Sequence, residues 1–216
     1  MTSIKSSKKA LIIVDLQNDF CPGGSLAIQG GHDLVPIANL LMPLFDVVVA
    51  TQDWHPSDHV SFDASHAGHR VGDTIMADGL PQILWPIHCT QATHGAEFYP
   101  GLNLAGIHHL VKKGIDKKID SYSAFFDNAH QRDTGLADYL RNQGVQEIYL
   151  MGLIIDYCVK FSALDAVQLK FKTHVIVDAC RGAELVQGDI ARACEEMRNA
   201  GVKLINVADV TPTRQR

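Results

Sequence analysis

Ala10-Leu11-Ile12-Ile13-Val14, closed by Asp15, is the stretch that decides the fold. Apolar residues in unbroken succession, with no polar alternation, describe a strand covered on both faces, as in parallel sheets. The pattern recurs in Val47-Val48-Val49-Ala50, His109-Leu110-Val111, Ile148-Tyr149-Leu150-Met151 and His174-Val175-Ile176-Val177, with Lys203-Leu204-Ile205 as a further run. Helical spacing appears between them. Leu34, Ile37, Ala38 and Leu41 form a stripe within residues 33–45, and Leu136, Ala137 and Leu140 one within 134–143. Phe161, Leu164, Ala166 and Val167 do so within 157–169, and Ile190, Ala193 and Met197 within 189–200. Strands alternating with helices predict a three-layer α/β/α fold around a mostly parallel, doubly wound sheet. The length suits a single domain spanning residues 1–216. Residues 56–103, rich in Gly, Pro, His and Asp, follow neither period and read as an insertion that builds a site.

Composition narrows the function. With 46% hydrophobic and 20% charged residues the chain is an ordinary globular protein. A formal charge of -5 without a basic patch argues against nucleic acid as a partner. No apolar run approaches the ~18 residues of a membrane helix. No apolar leader precedes Asp15, so the expected location is cytoplasmic. Cys21, Cys89, Cys158, Cys180 and Cys194 are odd in number and lack CxxC spacing, which predicts reduced thiols rather than a disulfide framework. The expected partner is a small-molecule substrate, and homo-oligomerisation stays open.

Polar residues leave the apolar runs at Asp15, Asp53, Lys113, the Asp156 to Cys158 segment and Asp178. In open α/β sheets ligands bind outside the carboxyl ends of strands, so most of these positions are expected to converge. Cys158 is the candidate nucleophile. A thiol in the first turn of a helix meets donors and a dipole that favour thiolate, and Lys113 is expected to lower its pKa further. Asp15 is placed to exchange its proton. The plainer reading makes each strand-end Asp a cap and Cys158 a small buried hydrophobe.

Gln52-Asp53-Trp54-His55-Pro56-Ser57-Asp58-His59 and Trp85-Pro86-Ile87-His88-Cys89 carry a second signal. Six of the eleven histidines fall between His55 and His94, a clustering that a bland surface would not show. Asp53 and His55, two apart on an extended segment, can face one side, and His88 can close the site across the loop. His59 is either a further ligand or a supporting group. One carboxylate with two or three imidazoles suits a divalent metal: zinc, iron or manganese. His66 and His69 read as solvent-facing.

These segments, with Ile13-Val14-Asp15-Leu16-Gln17-Asn18-Asp19-Phe20, Lys112-Lys113-Gly114, Asp120-Ser121-Tyr122-Ser123-Ala124-Phe125 and Asp156-Tyr157-Cys158-Val159-Lys160, resemble the nicotinamidases of the isochorismatase-like cysteine hydrolase family, in order over nearly the whole chain. The resemblance implies hydrolysis of nicotinamide to nicotinate and ammonia in NAD salvage, and of pyrazinamide. It implies a catalytic triad of Asp15, Lys113 and Cys158, with the backbone N–H groups of Ile154 and Cys158 as oxyanion hole beside a cis peptide at Leu153-Ile154. It implies that Asp53, His55 and His88, with His59 as a further candidate, hold one divalent ion, Zn2+ before Fe2+ or Mn2+. Phe20 and Trp85 would line the substrate pocket. One departure stands out. The family's usual Ala-Thr pair is replaced by Ile154-Ile155, which removes a hydroxyl and sets β-branched side chains in a tight turn; activity is still expected, because the triad and metal residues all match, and the effect on rate and substrate breadth stays open. The competing readings are a superfamily amidase acting on a carbamoyl or ureido compound, a metallohydrolase with a structural Cys158, and a non-catalytic metal or redox sensor.

Overall fold

Each apolar run becomes a strand, and in the central strands the side chains alternate between two cores. In β1 (Lys8–Val14), Ala10, Ile12 and Val14 enter one core while Leu11 and Ile13 enter the other. The computed structural model describes residues 7–211, so the two ends of the 1–216 span lie outside the described residues. The elements that follow β1 are α1 (Leu34–Leu41), β2 (Val47–Asp53), β3 (Thr74–Ala77), β4 (Leu80–Ile83) and β5 (His109–Lys113). After them come α2 (Leu136–Asn142), β6 (Val145–Leu153), α3 (Lys160–Gln168), β7 (Lys172–Arg181), α4 (Asp189–Asn199), β8 (Lys203–Ile205) and α5 (Val207–Val210).

The main sheet runs β5-β2-β1-β6-β7-β8, parallel throughout. Counted within the sheet alone, that is the doubly wound order in which the chain reverses direction between β1 and β6. Leu136, Leu140, Ala163, Ala166 and Met197 of α2, α3 and α4 cover one face, and Leu34, Ala38 and Leu41 of α1 cover the other. Three layers result, as expected, with the switch point at the carboxyl ends of β1 and β6. Gly152 lies there with φ +117°, and a Cβ on it would strike the backbone of Val14.

Two local expectations are corrected. Of the apolar stripe expected for α3 only Ala166 is fully buried: Ser162, Ala163 and Asp165 are buried with it, whereas Phe161, Leu164 and Val167 are half-buried. Small residues let the helix lie close, and Ser162 Oγ donates to the Cys158 carbonyl at 2.6 Å while accepting the Ala124 N–H at 2.8 Å. Residues 56–103 also contain regular structure. β3 and β4 form an antiparallel hairpin turned by Asp78 (φ 47°) and Gly79 (φ 82°), the residue pair suited to a tight type I′ turn. Among the described residues no helix is long and apolar enough to cross a membrane.

Candidate active site

Asp15 follows β1 directly and adopts φ +48°, a left-handed conformation uncommon for a side chain of its kind and frequent at functional sites. Its Oδ1 accepts the Thr51 hydroxyl at 2.5 Å, and its N–H donates to the same Thr51 Oγ1 at 3.1 Å. Lys113 arrives by register, since β5 pairs with β2 so that Lys113 stands opposite Asp53. Its Nζ donates to Asp53 Oδ1, to the Ser121 carbonyl at 3.1 Å and to Cys158 Sγ at 3.3 Å, and lies 2.9 Å from Asp15 Oδ2. That last contact is a fully buried ion pair. Cys158 sits in a π-helical turn, Ile155–Val159, that leads into α3. Carboxylate oxygens of Asp15 and Asp53 lie within 4.8 Å of its Sγ and of one another.

Burial dominates the electrostatics, and the pairs decide what it leaves. Desolvation drives the Cys158 thiol well above its ordinary range despite the opposing Lys113 ammonium. The expected lowered thiol pKa is therefore corrected, because complete burial outweighs one cation that already serves two carboxylates. Burial also raises Asp15 against the pull of Lys113. At Asp53 the same burial is overcome by Lys113 and then His55, which hold its carboxyl well below the usual range. Lys113, pushed down by desolvation, is carried well above its normal value by Asp15 and Asp53. The Cys158 thiol, the Lys113 ammonium and the Asp15 carboxyl group thus stand together in the buried site.

Asp53, His55 and His88 offer ligand atoms within 4.8 Å of one another, all buried. His55 Nδ1 lies 3.0 Å from the Gly114 carbonyl, and His88 Nδ1 lies 2.8 Å from the Pro86 carbonyl. A carbonyl only accepts, so both Nδ1 atoms carry the proton and both Nε2 lone pairs are free, 3.5 and 3.8 Å from Asp53 Oδ2. Two imidazoles oriented by backbone around one carboxylate fit a divalent ion. Gly114, at φ +64°, is required here, since a Cβ on it would overlap the His55 ring. His59 falls outside this trio and groups instead with His55 and Asp120. Its Nδ1 accepts the Ser61 N–H at 3.3 Å, which leaves Nε2 as a buried donor without a partner. Burial and neighbouring His55 push its pKa down to about 4.

Cys158 and the Asp53, His55 and His88 trio meet at one partly open pocket, lined also by Phe20, Leu26, Trp85, Asp120, Tyr122, Ile154 and Tyr157. The Leu153-Ile154 peptide is cis. Ile154-Ile155 are accommodated simply: Ile154 is extended, and Ile155 is buried in the core. Asp178 does not join the site, because β7 runs past it and its exposed carboxylate accepts the Val207 N–H at 2.8 Å. Asp156 turns away as well, accepting the N–H groups of Ala183 and Glu184 at 3.0 and 2.9 Å. Sequence reasoning gave no role to Thr51, Gln17, Asp120, Tyr122 or Tyr157. Thr51 and Gln17 each stand two residues from a strand-end Asp, and that spacing was the available signal. Gln17 holds Asp53 on both sides, accepting its N–H and donating to its carbonyl, each at 2.8 Å.

A family model described as the isochorismatase domain matches residues 9–209. The chain belongs to the isochorismatase family. Among its relatives, the nicotinamidase of Escherichia coli (strain K12) is 45% identical over 210 residues, covering 95% of this chain and 98% of that protein. A solved nicotinamidase/pyrazinamidase of Acinetobacter baumanii superposes with a TM-score of 0.92 at 43% identity, covering 96% of this chain and 100% of the other. The pyrazinamidase of Pyrococcus horikoshii, solved in complex with zinc, superposes at 0.74 with 33% identity, covering 92% and 99%. The isochorismatase family fold thus extends over essentially the whole described chain.

Proposed function

We propose that this chain is a nicotinamidase, a cysteine amidohydrolase converting nicotinamide to nicotinate and ammonia. The observation that carries the reading is one pocket lined both by Cys158, with Lys113 and Asp15 close by, and by Asp53, His55 and His88. An amidase of carbamoyl or ureido compounds needs only the first set. The second set would hold a divalent ion, which supplies a Lewis-acid site for the ring nitrogen of a pyridine carboxamide. Zinc is the ion we assign, because the donor set suits it and a relative was solved with zinc. Pyrazinamide, which keeps that ring nitrogen, belongs to the same substrate class.

In this reading Phe20 and Trp85 confine the ring so that the carboxamide carbon faces Cys158. Orientation of this kind is worth ~7 kcal/mol or more of the barrier. Asp15 takes the thiol proton as Sγ attacks the carbonyl carbon, and the Lys113 ammonium steadies the thiolate as it forms. The backbone N–H groups of Ile154 and Cys158 stabilise the oxyanion, each contributing about 3 kcal/mol. Asp15 then delivers its proton to the leaving nitrogen, ammonia departs, and an acyl thioester remains on Cys158. Water, surrendering a proton to Asp15, cleaves the thioester to nicotinate and free thiol. We assign the reaction to the cytoplasm, where reduced cysteines persist, and its product to NAD salvage. We treat the chain as one domain with residues 56–103 as the insertion that completes the site.

The test is ammonia release by purified protein from nicotinamide, pyrazinamide and a ureido compound side by side. Turnover of the two ring carboxamides alone is expected. Turnover of the ureido compound in preference to both would transfer the reading to the wider superfamily.

A further inference from the structure

Four ionisable side chains are buried at the site: Asp53 and Asp120 line the pocket, and Asp15 and Lys113 lie against Asp53 and Cys158, each at most 4% exposed. The mechanism uses Asp15 and Lys113, and Asp53 is a ligand candidate. Asp120 has no such use. Both of its oxygens accept, Oδ1 from the Ser121 N–H at 2.7 Å and Oδ2 from Gln82 Nε2 at 3.0 Å. No cationic side chain pairs with it among the described residues. Its carboxylate nevertheless reaches within 4.8 Å of ring nitrogens of His55 and His59.

With the three carboxylates and the ammonium ionised, the sum is two negatives at a buried site. Buried charges are tolerated only when compensated. A divalent ion on Asp53, His55 and His88 would return the sum to zero. We propose that Asp120 is a positioning residue of the metal centre, a carboxylate outside the ligand set whose charge makes the pocket complementary to a dication. Gln82, buried on β4, fixes it there, so the hairpin contributes to metal retention through one side-chain amide. This inference rests on the metal reading above.

The experiment measures zinc affinity by chelator competition, together with melting temperatures of stripped and zinc-loaded protein. It compares wild type, Asp120→Asn and Asp120→Glu. Asp120→Asn keeps the shape and loses the charge. It should bind zinc at least tenfold more weakly, melt higher than wild type when stripped and gain less on loading. Asp120→Glu should recover most of the affinity. A merely structural Asp120 would lower both melting points together and leave affinity intact. Unchanged affinity in a folded Asp120→Asn overturns the proposal while sparing the metal site; wild type that binds no zinc overturns the metal reading itself. Should Asp120→Asn not fold, Asp120→Ser is read by the same criteria.

Discussion

Lys113 Nζ donates to Cys158 Sγ at 3.3 Å from the end of a strand whose register sets the same ammonium against Asp53. One buried cation thus serves the nucleophile and two carboxylates together. Lys113→Met should leave Asp15 and Asp53 buried without a counter-ion, at a cost of about 3–5 kcal/mol. Turnover should vanish, and Lys113→Arg should not restore it, since a guanidinium does not fit a site shaped around an ammonium. Denaturant melts and ammonia release check both statements.

Thr51 donates to Asp15 Oδ1 and so favours the ionised carboxyl. Burial has already raised Asp15, so activity should fall on the acid side with a midpoint above the ordinary Asp value. Removing the hydroxyl in Thr51→Val withdraws a stabilising hydrogen bond from the anion, raises the pKa further and moves that limb to higher pH. The lost buried partners should cost about 1–3 kcal/mol. A pH–rate profile whose acid limb stays in place in Thr51→Val would remove Asp15 as the base.

Gly114 accepts from His55 Nδ1 and lies where a Cβ would meet the His55 ring. Gly114→Ala should cost about 1–3 kcal/mol from its left-handed backbone alone. It should also displace His55, giving a folded protein with little bound zinc. Metal content by atomic emission, beside circular dichroism, separates loss of the ion from loss of the fold.

Asp53→Ala should lose the ion and raise KM. Stripping the wild type with a chelator should mimic it, and restoring zinc should rescue the wild type alone. Retained zinc in the variant would take Asp53 out of the ligand set.

The sheet was readable because strands buried on both faces must be apolar along their length, and β1, β2, β6 and β7 carry such runs. Asp15, Asp53, Lys113 and Cys158 were readable because strand ends at a doubly wound switch point converge. The α3 stripe misled because a helix lying close to the sheet buries Ser162 and Ala163, and spacing alone does not distinguish small from large contacts. The β3–β4 hairpin was missed although Asp78-Gly79 marks its turn, the flanking strands being short and mostly half-buried or exposed. The raised thiol of Cys158 was beyond the sequence, because the cost of burial depends on the assembled fold around it and not on neighbours along the chain. Asp120 was hidden for a similar reason: only the assembled charge count reveals it.

The central claim is a covalent bond at Cys158, and rapid-quench intact-mass measurement during nicotinamide turnover tests it most directly. Wild-type protein should gain the mass of a nicotinoyl group located on the Cys158 peptide. Cys158→Ala should show no adduct and slow by at least about a thousandfold while still binding nicotinamide. Ammonia release by Cys158→Ala at an undiminished rate would contradict the mechanism and leave the thiol a structural residue.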